Sequence, residues 1–305
     1  MNLLRFFAKI MNLLRLFALT RTSIRKEKLK RIYFKDFWPG FSQKDNYFTG
    51  LLTKYGYEFE IVDNDPDIII FSVFGNTFRS NFIGYFIRNI QYKNVKKCFY
   101  TGENIPIRKY ANLNLTYENT SKYNNIRLPL WLLYGYDKKM KLVKKESEGF
   151  CCFVYSNNVK HRNAFCKKLS NYKKVYCGGG CLNNVGGKVK NKLEFQKKYK
   201  FCIAYENCVQ PGYATEKILQ AYQSNCIPIY YGSETIKDDF NPETFINAHD
   251  FDNNNDLINY IKKVDTDESL YNSYMNKPIF SKNWLDIFND PEETYFKNIA
   301  QKIME

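Results

Sequence analysis

Apolar and polar positions along this chain fall into two repeating blocks. In the first, residues 31–34 and 67–73 read as strands. The latter holds an unbroken apolar run, Ile68-Ile69-Ile70-Phe71, with Asp-Pro-Asp before it and Gly75-Asn76 after it. A short apolar run between turn signals predicts a buried parallel strand. Tyr47–Lys54 has helical character, and residues 97–100 form another short strand that runs into Thr101-Gly102-Glu103-Asn104. The second block alternates more clearly. Strands are predicted at 150–155, 174–177, 201–205, 227–231 and 244–246, and helices at 159–169, 190–199, 215–224 and 256–264. Such alternation predicts βαβ units on parallel sheets, an α/β chain with ligands at the carboxyl ends of the strands. The polar stretch 137–149 is the expected linker. The pattern divides the chain into a tail (1–30), a first block (31–145), a second block (146–277) and an aromatic, helical segment (278–305) expected to pack back across both blocks.

Composition adds two constraints. Of 305 residues, 44% are hydrophobic and 25% charged, which supports a real core. The nine cysteines show no paired spacing, and His161 and His249 are the only histidines, so no metal centre is expected. The thiols read as free and buried, as in a reducing compartment.

The net charge of +15 is unevenly placed. Residues 1–31 carry nine basic residues against a single acid, Glu27. A nucleic-acid-binding domain would spread its charge over a folded face, so no nucleic-acid partner is expected. The longest apolar run in the tail, Leu16-Phe17-Ala18-Leu19, is too short to span a bilayer. Arg5, Lys9, Asn12 and Arg15 would form one polar stripe on a helix, with apolar residues around it and a basic cluster following at 21–31. That combination predicts an interfacial anchor for an anionic membrane, with the protein peripheral on the cytoplasmic face.

Three decoys can be set aside. The loop 178–188 lacks the first glycine and the Ser or Thr of a Walker A motif. A Gly-x-Gly-x-x-Gly after a predicted strand is missing. Asp65-Pro66-Asp67 opens a buried strand, opposite the usual ligand crevice, and reads as a turn. The informative stretch is 201–233. A strand ends in Glu206-Asn207, a Gly/Pro turn follows, and Thr215 is placed to cap a helix opening with Glu216-Lys217. A helix start with a lysine suits a phosphate, and Glu216 can accept from sugar hydroxyls.

This stretch resembles the donor-binding signature of the α-1,3/4-fucosyltransferases, glycosyltransferase family 10. The matching residues are Tyr205-Glu206-Asn207, then Gly212-Tyr213-Ala214-Thr215-Glu216-Lys217-Ile218, then Pro228-Ile229-Tyr230-Tyr231-Gly232. Further blocks follow the family's order: Ser72-Val73-Phe74-Gly75, Tyr100-Thr101-Gly102-Glu103-Asn104, Arg127-Leu128-Pro129, Ser156-Asn157 with Arg162 and Phe165, and the 178–186 loop with Asn183-Asn184-Val185-Gly186. Cys208-Val209-Gln210-Pro211 and Ala214 depart from the usual pattern without removing a functional group, and the C-terminal heptads of some bacterial members are missing.

The resemblance implies a GT-B fold, two Rossmann-like domains facing across a cleft, the first binding the acceptor and the second GDP-fucose. It implies inverting transfer of L-fucose to an acceptor oligosaccharide or glycolipid, GlcNAc-containing and α-1,3-linked. By analogy Glu103 is the catalytic base. Arg162 and Lys217 hold the phosphates, Glu216 binds ribose or fucose hydroxyls, and Asn207 and Tyr213 line the donor pocket. No metal or other cofactor is required. Alternatives are a GT-B enzyme using another nucleotide sugar and a non-catalytic basic module binding membrane or nucleic acid.

Overall fold

A computed structural model describes residues 29–77 and 92–305. The predicted tail anchor at 1–30 lies almost wholly outside the described residues. Among the described residues no helix is long and apolar enough to cross a membrane.

The first sheet comprises β1 (Lys30–Lys35), β2 (Phe59–Ile61), β3 (Ile68–Phe71), β4 (Lys96–Tyr100), β5 (Leu113–Thr116) and β6 (Asn125–Arg127). Their order is β2-β1-β3-β4-β5-β6, and every pairing is parallel. The Ile68-Ile69-Ile70-Phe71 run is buried throughout because β3 is central and covered on both faces. Helix α1 (Tyr47–Lys54) follows β1, with Asn46 and Thr49 closing a reciprocal cap at its start.

The second sheet comprises β7 (Gly149–Phe153), β8 (Val175–Cys177), β9 (Tyr199–Tyr205), β10 (Ile227–Tyr231) and β11 (Ile246–Asn247). Its order is β11-β10-β9-β7-β8, again all parallel. Helices α2 (Lys160–Ser170), α3 (Lys192–Gln196) and α4 (Glu216–Gln223) lie between its strands. After β7 the chain moves to β8 on one side and then to β9 on the other. That reversal opens a crevice beyond the carboxyl ends of β7 and β9.

Helices α5 (Asn254–Thr266) and α6 (Glu268–Asn272) follow, and then α7 (Lys282–Asn289) and α8 (Thr294–Met304). Trp284 on α7 packs edge-on to Trp131 and donates to Asp239. Glu293, just before α8, accepts from Lys54 and Tyr55 at the end of α1. One apolar core runs from Ile32 through Trp131 to Met304.

Several elements differ from the sequence expectation. β2, β5 and β6 have no counterpart among the strands that the apolar pattern predicts. β5 reads Leu-Asn-Leu-Thr, yet Asn114 is fully buried because its side chain serves backbone groups of Arg108 and Tyr123. The helix expected over 190–199 covers only Lys192–Gln196. The strand starts early instead, at Tyr199, whose ring occupies the space that Gly149 leaves in the neighbouring strand. The strand expected at 244–246 is β11, Ile246–Asn247.

All nine cysteines are free. Eight are buried, and Cys208 is partly exposed.

Candidate active site

The crevice at β7 and β9 is a cavity of about 290 Å³ between the sheets. Glu103, Arg162, Asn207, Tyr213, Glu216 and Lys217, distant in sequence, all line it.

Arg162 sits in the first turn of α2, only 1% exposed. Its guanidinium lies 3.7 Å from the ring centroid of Tyr155 and donates to Asn207 Oδ1 at 3.0 Å and to Asn157 O at 2.8 Å. Its Nε–H has no partner. The head group is thus fixed before any ligand arrives, with a donor unspent. Burial pulls its pKa below the usual arginine value.

Lys217 lies one residue into α4, with its ammonium 2.9 Å from Glu206 Oε2 and 2.8 Å from Thr215 Oγ1. Burial disfavours its charge, but Glu206 and Glu216 outweigh that and raise its pKa. Burial likewise disfavours the Glu216 charge, while Lys217 and Lys192 hold its pKa below the usual range.

Glu103 follows β4, its backbone N–H bonded to Thr101 Oγ1. Burial pushes its pKa above the usual carboxylate range; Lys217 opposes this, and Glu216 and Glu206 add to it. A carboxylate of raised basicity facing fixed cations suits proton abstraction beside a departing anion. Tyr213 is buried, its ring edge-on to Tyr117 at 5.2 Å.

The sequence predicts Thr215 as the side-chain cap of α4. Thr215 occupies the cap position of α4, but its hydroxyl makes no cap bond. It turns to Glu206 instead, because that fully buried carboxylate must be satisfied.

Sequence reasoning also missed site residues. Lys192, Tyr134 and Tyr155 line the cavity, and Glu206 stands behind it. Lys192 opens α3 and donates to Gln220, and burial lowers its pKa. A basic residue opening the helix after the 178–187 loop was the available signal. Among the described residues no three His, Cys, Asp or Glu side chains converge as metal ligands.

Two family models match most of the chain. The model "Glycosyltransferase family 10 (fucosyltransferase) C-term" matches residues 143–283, and the "Alpha-(1,3)-fucosyltransferase FucT N-terminal domain" matches residues 32–134. The chain belongs to glycosyltransferase family 10. Its two parallel sheets are the two halves of the family's GT-B fold.

Among curated members, the chain is 35% identical over 240 residues to alpha-(1,3)-fucosyltransferase FucT of Helicobacter pylori, covering 65% of this chain and 49% of that protein. It is 32% identical over 163 residues to alpha-(1,3)-fucosyltransferase B of Drosophila melanogaster, covering 49% and 35%. The chain thus spans about half or less of these relatives' length. A crystal structure of an alpha1,3-fucosyltransferase with GDP-fucose superposes with a TM-score of 0.68 at 26% identity, covering 90% of both chains.

Proposed function

We propose that this chain transfers L-fucose from GDP-fucose to a hydroxyl of an acceptor glycan, with inversion at the sugar carbon. The preferred acceptor is a GlcNAc-containing oligosaccharide or glycolipid, fucosylated in α-1,3 linkage. The observation that carries this reading is that Glu103 from the first sheet lines one cavity with Arg162 and Lys217 from the second. Residues 146–277 bind the donor, and residues 31–145 present the acceptor.

In this mechanism the Glu103 carboxylate takes the proton of the acceptor hydroxyl as its oxygen bonds to C1 of fucose. The bond from C1 to the diphosphate oxygen breaks on the opposite face, and its electron pair leaves with GDP. Arg162 and Lys217 stabilise that charge, so two fixed cations supply what a divalent ion would otherwise contribute. Asn207 and Tyr213 shape the donor pocket, and Glu216 accepts from ribose or fucose hydroxyls. The amphipathic, basic pattern of residues 1–30 supports a peripheral position on the cytoplasmic face of an anionic membrane.

The test is incubation of the full chain with GDP-fucose and a panel of glycans, read by mass spectrometry. A product heavier by one deoxyhexose is expected. Transfer from UDP- or ADP-sugars instead, or from no nucleotide sugar, would overturn the reading.

A further inference from the structure

The cation of the cleft is held from behind by a carboxylate that no ligand could reach. Glu206 ends the neighbourhood of β9 fully buried. Its Oε1 accepts the Thr215 backbone N–H at 2.8 Å, and both oxygens lie within 2.9 Å of the Thr215 hydroxyl. Its Oε2 is 2.9 Å from Lys217 Nζ. The carboxylate can lie there because residue 232 is glycine: a Cβ at that position would fall 2.5 Å from Glu206 Cγ.

We propose that Glu206 is a positioning residue for the phosphate-binding cation, holding Lys217 in place and, by offsetting its charge, limiting how firmly the diphosphate product is retained. This rests on the reading of the cleft as a GDP-fucose site. An ammonium has three N–H donors. Glu206 and Thr215 take two of those of Lys217, while Glu216, at 3.7 Å, lies beyond hydrogen-bond distance. One donor therefore remains for a ligand in the cavity that Lys217 lines. Any diphosphate bound there also feels the buried negative charge of Glu206 at short range and low dielectric, which weakens its binding. Arg162 has no carboxylate partner among its hydrogen bonds, so the restraint falls on the lysine arm of the clamp.

The test compares Glu206→Gln, Lys217→Met and the double variant Glu206→Gln/Lys217→Met. Glutamine keeps the shape and an acceptor oxygen but loses the charge. In the folded single variant GDP should bind about tenfold more tightly, from removal of one nearby like charge. GMP, which lacks the second phosphate, should change much less. Turnover should fall with the donor KM, because GDP then leaves slowly. A carboxylate that merely braces α4 against β9 would instead weaken GDP and GMP alike. Folded Glu206→Gln that binds GDP no more tightly than the native chain overturns the proposal. If the single variant does not fold, melting temperatures decide. Lys217→Met strands a buried carboxylate, so the double variant should melt higher than Lys217→Met alone, and an equal or lower melting temperature overturns the pairing. A native protein that binds neither GDP nor GDP-fucose would sink the functional reading itself, and this inference with it.

Discussion

Arg127 and Asp239 meet as a two-pronged ion pair, at 2.6 and 2.8 Å, across the junction of the two sheets. Arg127 ends β6, and Asp239 follows β10, with its side chain only 1% exposed. The arginine also donates to Gly212 O and Tyr117 O, and Trp284 donates to the same aspartate. Gly212 has a φ of 78°, and a Cβ there would lie 2.6 Å from Tyr117 O, so the halves are in close backbone contact. This knot joins the sheet that carries Glu103 to the sheet that carries the donor-side cations.

Arg127→Ala should therefore destabilise the chain by about 3–5 kcal/mol in urea unfolding, because it strands a buried carboxylate. Arg127→Lys should fall between, since it keeps the charge and loses the fork. The exposed pair Lys144–Glu268 should contribute far less, because water screens it. Equal losses at the two sites would show that burial does not set the value of the Arg127–Asp239 pair.

Glu103→Gln should abolish transfer and leave GDP affinity nearly unchanged. Undiminished turnover would remove Glu103 as the base. In the native chain kcat/KM should fall as pH drops through the Glu103 pKa, since the base must be ionised. Burial places that acid limb above the usual carboxylate range. Glu216→Gln should move the limb to lower pH, because the Glu216 charge helps to raise it. A pH–rate profile of both forms checks the sign.

Trp38 and Phe74 should contact the acceptor. They follow β1 and β3, whose ends Lys35 and Phe71 pair directly, and Phe71 pairs with Phe99 in the strand that leads to Glu103. Phe74 is 46% exposed, and its ring stands edge-on to Trp38 at 6.0 Å. The C–H face of a sugar ring packs well on such rings. Phe74→Ala should raise the acceptor KM several-fold, about 1 kcal/mol, with the donor KM unchanged. A shift in the donor KM instead would place Phe74 on the other side of the reaction.

Activity should persist in excess EDTA, because Arg162 and Lys217 are both fixed at the cleft. Loss on chelation with recovery on adding Mn²⁺ or Mg²⁺ would refute the two-cation account of the leaving group.

Deleting residues 1–28, just short of β1, should release the chain from anionic vesicles and spare transfer to a soluble acceptor. Each basic residue near the lipid contributes up to about 1 kcal/mol, and binding should weaken with salt. Full-length protein that ignores anionic vesicles at low salt would refute the anchor.

The sequence alone determined the class of this fold and six of the residues that line its cleft. Apolar runs such as Ile68-Ile69-Ile70-Phe71 report burial directly, and alternation with helices leaves few topologies. The motif around Glu206 and Lys217, with Glu103 and Arg162 elsewhere, marked residues that the fold gathers at one cavity. Only the tertiary structure decided how the polar groups pair. The Leu-Asn-Leu-Thr strand is buried because neighbouring loops satisfy Asn114. Thr215 turns from capping its helix to serve Glu206, and Lys192 enters the cleft from a five-residue helix. Arg127 finds Asp239 across 112 positions. Hydrophobic periodicity is a local property of the chain, whereas the partner of a buried charge depends on which strand ends the topology brings together.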